Sequence, residues 1–163
     1  FNDPAGFSEA ARAQTAVTHN QPVVLDSADF MARTAGLVFK GESPVAAIEK
    51  SLETFPIVSP VRELVTAGLA SAALETEAAI KQFGQMCSVQ VALPSAIHLI
   101  ARYETDLKQA LVENIMAGGD SSARGLVTGF ILGAHLGLAQ IPETWLSDMG
   151  AYPVISDLVN RLA

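Results

Sequence analysis

An uncharged run at residues 125–142 constrains this fold more than any other feature, because so many apolar residues must be removed from water. Within the run, glycine recurs at every fourth position, at Gly125, Gly129, Gly133 and Gly137. Residues four apart lie on one face of an α-helix, so these glycines form a stripe that a second helix can approach closely. The run therefore predicts a central helix buried inside an all-helical domain.

A membrane-spanning helix is the alternative interpretation of residues 125–142. Such a helix needs about 20 mainly apolar residues. This run is marginal in length, contains His135 and Gln140, and has no second candidate elsewhere in the chain. The buried helix is therefore favoured, and we expect no membrane as a partner.

The residues before this run combine flexible glycines with oxygen-bearing side chains. Gly118 and Gly119 interrupt one helical pattern, and Asp120, Ser121 and Ser122 stand at the start of the next. The Asp120 carboxylate can act as an N-cap that accepts hydrogen bonds from the first backbone N–H groups of that helix. It can also help to hold a cation, since hard cations prefer oxygen ligands. The residues alone leave both interpretations open.

Four short motifs occur in a fixed order along the chain. They are Thr-His-Asn at residues 18–20, Gly-Gly-Asp-Ser-Ser-Ala at 118–123, Gly-Ala-His-Leu-Gly at 133–137 and Ile-Pro-Glu-Thr-Trp at 141–145. Their order and spacing resemble the ADP-ribosylglycohydrolase family, which carries Gly-Gly-Asp-Thr-Asp-Thr, Gly-Ala-x-x-Gly and Ile/Val-Pro-x-x-Trp. The resemblance implies an all-α, orthogonal helical bundle and the hydrolysis of ADP-ribosyl bonds.

The resemblance also implies a pair of magnesium ions beside the ADP-ribose, with Asp120 and Ser122 as the metal ligands from this chain. Two residues depart from the family pattern: Ser122 stands where the family has aspartate, and Ala123 stands where it has threonine. The turn thereby loses one negative charge and one oxygen ligand. Because magnesium is usually anchored by one or two carboxylates in near-octahedral geometry, we expect this chain alone to bind it weakly or not at all.

His19 and Arg124 are the candidate substrate-binding residues. His19 matches a family histidine near bound substrate, and the alternative is a histidine in an ordinary loop after a helix. Arg124 stands where the family has an aliphatic residue; it can pair with Asp120, donate to a ligand phosphate, or point to water. No catalytic residue is assigned, because the family's acidic motif has no equivalent upstream of Ala16.

Helical periods fill the remainder of the chain, and no strand-like alternation competes with them. Prolines stand at expected helix starts, at Pro4, Pro44, Pro60, Pro94, Pro142 and Pro153. The expected helices cover residues 4–17, 26–39, 44–55, 60–83 as one or two helices, 94–103, 106–116, 142–149 and 153–162. We expect one all-helical domain over residues 1–163, forming the C-terminal part of a larger protein whose N-terminal half, or a second chain, completes the site.

The same periods predict several side-chain environments. His98 shares a polar face with Ser95 and Arg102, which predicts that it is solvated. Cys87 is expected to be a small buried hydrophobe, and Trp145 to wedge the last helices together. The last helix is expected to turn five side chains inward, those of Val154, Ile155, Leu158, Val159 and Leu162.

Composition excludes some partners and suggests a compartment. The net charge of -7 and the pI near 4.8 argue against a nucleic-acid partner, because such proteins need basic surface. The single cysteine and the lack of a recognisable leader favour a cytoplasmic protein. The expected partner is an ADP-ribosylated substrate or an ADP-ribose-like small molecule.

Two functions remain open at this point. One is a magnesium-dependent hydrolase of ADP-ribosyl glycosidic bonds, which the Gly-Gly-Asp turn favours. The other is a non-catalytic relative that acts as a binding or structural protein, like the crystallin members of the family, or an inactive fragment. Ser122 and Ala123 favour the second.

Overall fold

The protein is built from helices. The computed structural model describes residues 4–161, and side chains are described from residue 6 onward. Within that range there are ten α-helices, a 3-10 turn at Leu138–Gln140 and no strand, which confirms the all-α prediction. The helices are α1 (Pro4–Ala16), α2 (Pro22–Val38), α3 (Pro44–Thr54), α4 (Pro60–Ala70), α5 (Thr76–Phe83), α6 (Val89–Arg102), α7 (Leu107–Met116), α8 (Ser121–Leu136), α9 (Glu143–Ser147) and α10 (Tyr152–Asn160).

Proline and serine fix the starts of α3 and α4. Pro44 and Pro60 occupy the first turn of their helices, where a missing N–H leaves no helical hydrogen bond unmade. The hydroxyls of Ser43 and Ser59 precede them and accept hydrogen bonds from backbone N–H groups of the first turn. These two helix starts agree with the sequence prediction.

Pro94 does not start a helix, so that prediction is wrong. It lies inside α6, which begins five residues earlier at Val89. The carbonyl of Pro94 faces α4 at Gly68, where an added Cβ would lie 2.7 Å from Pro94 O and 2.7 Å from Ile97 Cβ. Glycine at position 68 therefore permits the close approach of α4 to α6. The segment 60–83, expected as one or two helices, forms two, separated by residues 71–75.

α6 lies at the centre of the core, a place that the sequence assigned to α8. All eight residues from Leu93 to Ile100 are buried. By contrast, Leu126 and Phe130 on α8 are 74% and 54% exposed. The uncharged run is therefore only partly buried, because absence of charge does not require burial on every face.

The predicted close approach of a second helix to the glycine stripe of α8 is found at one end of the stripe only. A Cβ on Gly125 would lie 2.9 Å from Asn114 Nδ2, and one on Gly129 would lie 3.7 Å from Leu111 Cδ2. A Cβ on Gly133 would meet nothing within 4 Å apart from its chain neighbours and the backbone of its own helix. Close approach of α7 is therefore confined to the first turns of α8.

The last two helices lie on the surface, which contradicts two predictions. α9 and α10 contain no buried residue. Trp145 is 37% exposed and does not wedge helices together, and the α10 side chains that were expected to point inward are 46% to 62% exposed. Leu162 lies outside the described residues. Periodicity identifies an apolar face, but it does not require the same chain to cover that face.

Two further predicted environments are reversed. Cys87 was expected to be buried, but it is exposed in the connection between α5 and α6. His98 was expected to be solvated, but it is completely buried. Among residues 4–161, no helix combines the length and apolarity needed to cross a membrane.

Candidate functional site

The turn between α7 and α8 is fixed by its own backbone and by the segment before α6. Gly118 and Gly119 adopt φ values of 71° and 67°, which L side chains rarely adopt. The backbone N–H of Asp120 donates to Gln85 O at 2.9 Å, and Gln85 Nε2 donates to Ala117 O at 2.5 Å. A Cβ on Gly119 would lie 2.3 Å from Gln85 O. The two glycines thus allow the turn to lie directly against Gln85.

Asp120 caps the N-terminus of α8, as one of its two interpretations predicted. Its Oδ1 accepts hydrogen bonds from the Ser122 hydroxyl at 2.9 Å and from the backbone N–H of Ala123 at 3.4 Å. These bonds favour the charged carboxylate, and the bond from Ser122 is the largest cause of a lowered pKa for Asp120. The charge also faces the positive end of α8. Asp120 is therefore a stable anion at neutral pH, beside the two serines.

Arg124 lies beneath the turn, and the interpretation that it points to water is wrong. Its side chain is 1% exposed. The guanidinium donates to Asn114 Oδ1 at 3.0 Å, to Asn114 O at 3.2 Å and to Gly118 O at 2.5 Å. Burial lowers the pKa of Arg124, while the charge of Asp120 raises it. Substrate contact by Arg124 stays a prediction and would require this buried group to become accessible.

His19 lies apart from these residues along the chain, in the connection between α1 and α2. It is exposed, and its Nδ1 lies 2.9 Å from Thr18 Oγ1. Within residues 4–161, no hydrogen bond or ion pair joins His19 to Asp120, Ser122 or Arg124. Asp120, Ser122 and Arg124 lie together at the start of α8, and the role of His19 in substrate binding stays a prediction.

The described residues do not by themselves fit a pair of magnesium ions. Asp120 is the one carboxylate of the turn; Ser122 already donates to it, and Ala123 has no side-chain oxygen. No group of three or more His, Cys, Asp or Glu side chains suited to a metal ion occurs in the described part of the chain. Because magnesium needs several oxygen ligands in strict geometry, Asp120 and Ser122 supply only part of a site.

A buried polar network around His98 was missed by the sequence interpretation. The Ser71 hydroxyl donates to Gly68 O at 2.7 Å, so its oxygen accepts from His98 Nδ1 at 2.8 Å. Nε2 of the ring then accepts from the Thr76 hydroxyl at 3.2 Å. Burial is the largest cause of a lowered pKa for His98, and Arg102 lowers it further. The network joins α6 to Ser71 in the connection after α4 and to Thr76 at the start of α5, and it makes His98 a neutral structural residue.

One cavity of about 930 Å³ lies away from the acidic turn. It is lined by residues of α1, α2 and α3, by Phe39 and Lys40 after α2, and by Phe130 of α8. The rings of Phe39 and Phe130 meet edge to face at 5.9 Å. Its lining includes none of the four candidate site residues. Gly119, Ser122 and Ala123 are exposed, so the acidic turn lies on the surface of the described structure.

Comparison with known proteins identifies a family and two relatives that this chain resembles. The model of the ADP-ribosylglycohydrolase family matches residues 1–163. The ADP-ribosylhydrolase ARH3 of Homo sapiens is 26% identical over 131 residues, which cover 74% of this chain and 36% of that protein. The same protein of Bos taurus is also 26% identical, with the same coverage. This chain therefore spans about a third of the length of these curated relatives.

Proposed function

Because the chain belongs to the ADP-ribosylglycohydrolase family, we propose that its α7–α8 turn takes part in recognising an ADP-ribosyl group whose glycosidic bond is then hydrolysed. The observation that carries this proposal is the ionised Asp120 at the start of α8, whose N–H donates to Gln85 O and whose carboxylate accepts from the Ser122 hydroxyl. Such a carboxylate accepts hydrogen bonds from ribose hydroxyls. The adjacent N-terminus of α8 favours negatively charged groups such as phosphates.

Hydrolysis requires more than these residues supply. Cleavage of a glycosidic bond commonly uses a pair of carboxyl groups, and Asp120 is the one carboxylate of the turn. We propose that the further acidic groups come from an N-terminal half of a larger protein or from a second chain, and that magnesium, if used, is bound mainly by those groups. For the 163-residue chain alone, the expected outcome is weak ligand binding without turnover. A cytoplasmic location is part of the same proposal.

Calorimetric titration with ADP-ribose tests the binding role. Asp120→Asn keeps an N-cap oxygen but removes the charge, so it should weaken ADP-ribose binding, and His19→Ala should weaken it too. Asp106→Asn is the matched control, because Asp106 caps the neighbouring helix α7 by accepting from Gln109 N at 2.9 Å. Equal affinities of the Asp120→Asn and Asp106→Asn proteins would contradict the proposal.

A non-catalytic binding or structural role is the second candidate. It is favoured by Ser122 and Ala123, which supply no carboxylate, and by the buried positive charge of Arg124. Ser122→Asp with Ala123→Thr should tighten magnesium binding in a protein that contains the remaining acidic groups. The release of ADP-ribose from a modified protein, measured with and without these two substitutions, separates the two functions. Turnover supports the hydrolase. Ligand binding without turnover, in the proteins with and without the substitutions, supports the non-catalytic role.

A further inference from the structure

A buried cation lies beneath the α7–α8 turn, in the first turns of α8. Arg124 is among the largest fully buried side chains, and its guanidinium donates to three oxygens, of which two are the backbone carbonyls of Asn114 and Gly118. In the described part of the chain, no carboxylate lies within ion-pair distance of Arg124. A buried positive charge held mainly by carbonyl oxygens resembles the environment that an oxygen-rich loop offers to a metal ion.

Asn114 O belongs to the last turn of α7, which carries the negative end of the helix dipole, and Gly118 O lies two residues beyond that helix. The N–H of Gly118 donates to Ile115 O, so it does not complete the regular helical bond to Asn114 O. Arg124 supplies that missing donor. Asn114 is itself 2% exposed and donates through Nδ2 to Ser121 O at 2.8 Å, which ties the end of α7 to the start of α8.

We propose that Arg124 is the resident cation of this turn: it holds the end of α7 against the start of α8 and thereby positions Asp120 without a divalent ion. Two consequences follow. The shape of the turn is independent of divalent cations, and the fixed positive charge beside Asp120 opposes their binding. Arg124 is thus a positioning residue, and the inference stands whether or not the chain acts on ADP-ribose.

Thermal melting of the unmodified chain tests the first consequence. The melting temperature should be the same in EDTA and in excess magnesium, because the turn is already closed. An upward shift with magnesium that is lost in Asp120→Asn would overturn the proposal, since the turn would then depend on a bound ion. This measurement needs no substitution at Arg124.

Manganese titration followed by electron paramagnetic resonance tests the second consequence. Arg124→Met should lower the melting temperature and tighten manganese binding by about tenfold, because a unit charge near a dication has been removed. Arg124→Lys should keep the weak affinity of the unmodified chain, since it keeps the charge. Arg62→Met is the matched control: Arg62 also donates to backbone carbonyls, those of Leu52 and Phe55, so its loss should lower stability but leave manganese binding unchanged.

An unchanged manganese affinity in folded Arg124→Met would overturn the electrostatic part of the proposal. If Arg124→Met does not fold, Arg124→Gln takes its place, because glutamine is neutral but keeps an N–H donor for Gly118 O. Tighter manganese binding in that variant supports the proposal, and equal or weaker binding contradicts it.

Discussion

Gly119→Ala tests whether the acidic turn is held against Gln85. Both Gly119, at φ 67°, and Gly41, at φ 96°, have left-handed backbones, which cost an L residue about 1–2 kcal/mol. The surroundings of the two glycines differ. A Cβ on Gly119 would lie 2.3 Å from Gln85 O and 2.4 Å from Gln85 Cβ, whereas nothing lies within 4 Å of a Cβ on Gly41. Gly41→Ala is therefore a control for backbone strain alone.

The size of the effect follows from what must move. To accommodate alanine at position 119, Gln85 must shift, which breaks its hydrogen bonds with Asp120 N and Ala117 O. Each bond contributes about 1 kcal/mol. We expect Gly119→Ala to lower the free energy of unfolding by about 3–4 kcal/mol, compared with about 1–2 kcal/mol for Gly41→Ala.

Urea denaturation measures this difference directly. With an m-value of about 2 kcal/mol/M, the Gly119→Ala midpoint should lie about 1 M below that of Gly41→Ala. Equal midpoints would show that Gln85 does not constrain the turn. An unchanged midpoint for Gly119→Ala would contradict the left-handed backbone as well.

Two further predictions concern buried polar groups. Thr128 Oγ1 is buried and has no hydrogen-bond partner among the described residues, so Thr128→Val should raise the free energy of unfolding, measured by urea denaturation, by about 1 kcal/mol. Thr34→Val is the control: it removes a buried hydroxyl that donates to Phe30 O, so it should lower the free energy of unfolding. A loss of stability at both sites would contradict the reasoning. The pKa of His98 is lowered in the folded state, so its contribution to stability should be fully present above the unfolded pKa of about 6.5 and should be lost as pH falls through the folded pKa. The free energy of unfolding, measured from pH 7.5 downward, should show this loss. If the same loss occurs in His98→Asn, the pH dependence belongs to other groups.

Much of the local structure could be predicted from sequence because it depends on near neighbours. The helix start at Pro44, the cap at Asp120, the break at Gly118 and Gly119 and the absence of strands in the described residues all follow from hydrogen bonds or dihedral angles within a few positions. The family motifs added the place of the acidic turn. These features need no knowledge of which helices meet.

The errors concern contacts between distant elements. His98 shares a polar face with Arg102, but Ser71 and Thr76 approach that face and bury it. The three roles considered for Arg124 did not include its buried bond to Asn114, because Asn114 lies ten positions away, on another helix. The apolar face of α10 is present as predicted, but no helix in the described range covers it. A period identifies what a helix can bury, and only packing determines what it does bury.

Amide chemical shifts during an ADP-ribose titration test the central claim most directly. In ¹H–¹⁵N spectra of the labelled chain, ADP-ribose should shift the amides of Gly118, Gly119, Asp120 and Ser121, because the claim places the ligand at the start of α8. Gly41 also has a left-handed backbone but lies far along the chain from Asp120, so the chemical shift of its amide should not change. Shifts confined to other parts of the chain, or none at ligand concentrations that saturate binding, would contradict the account.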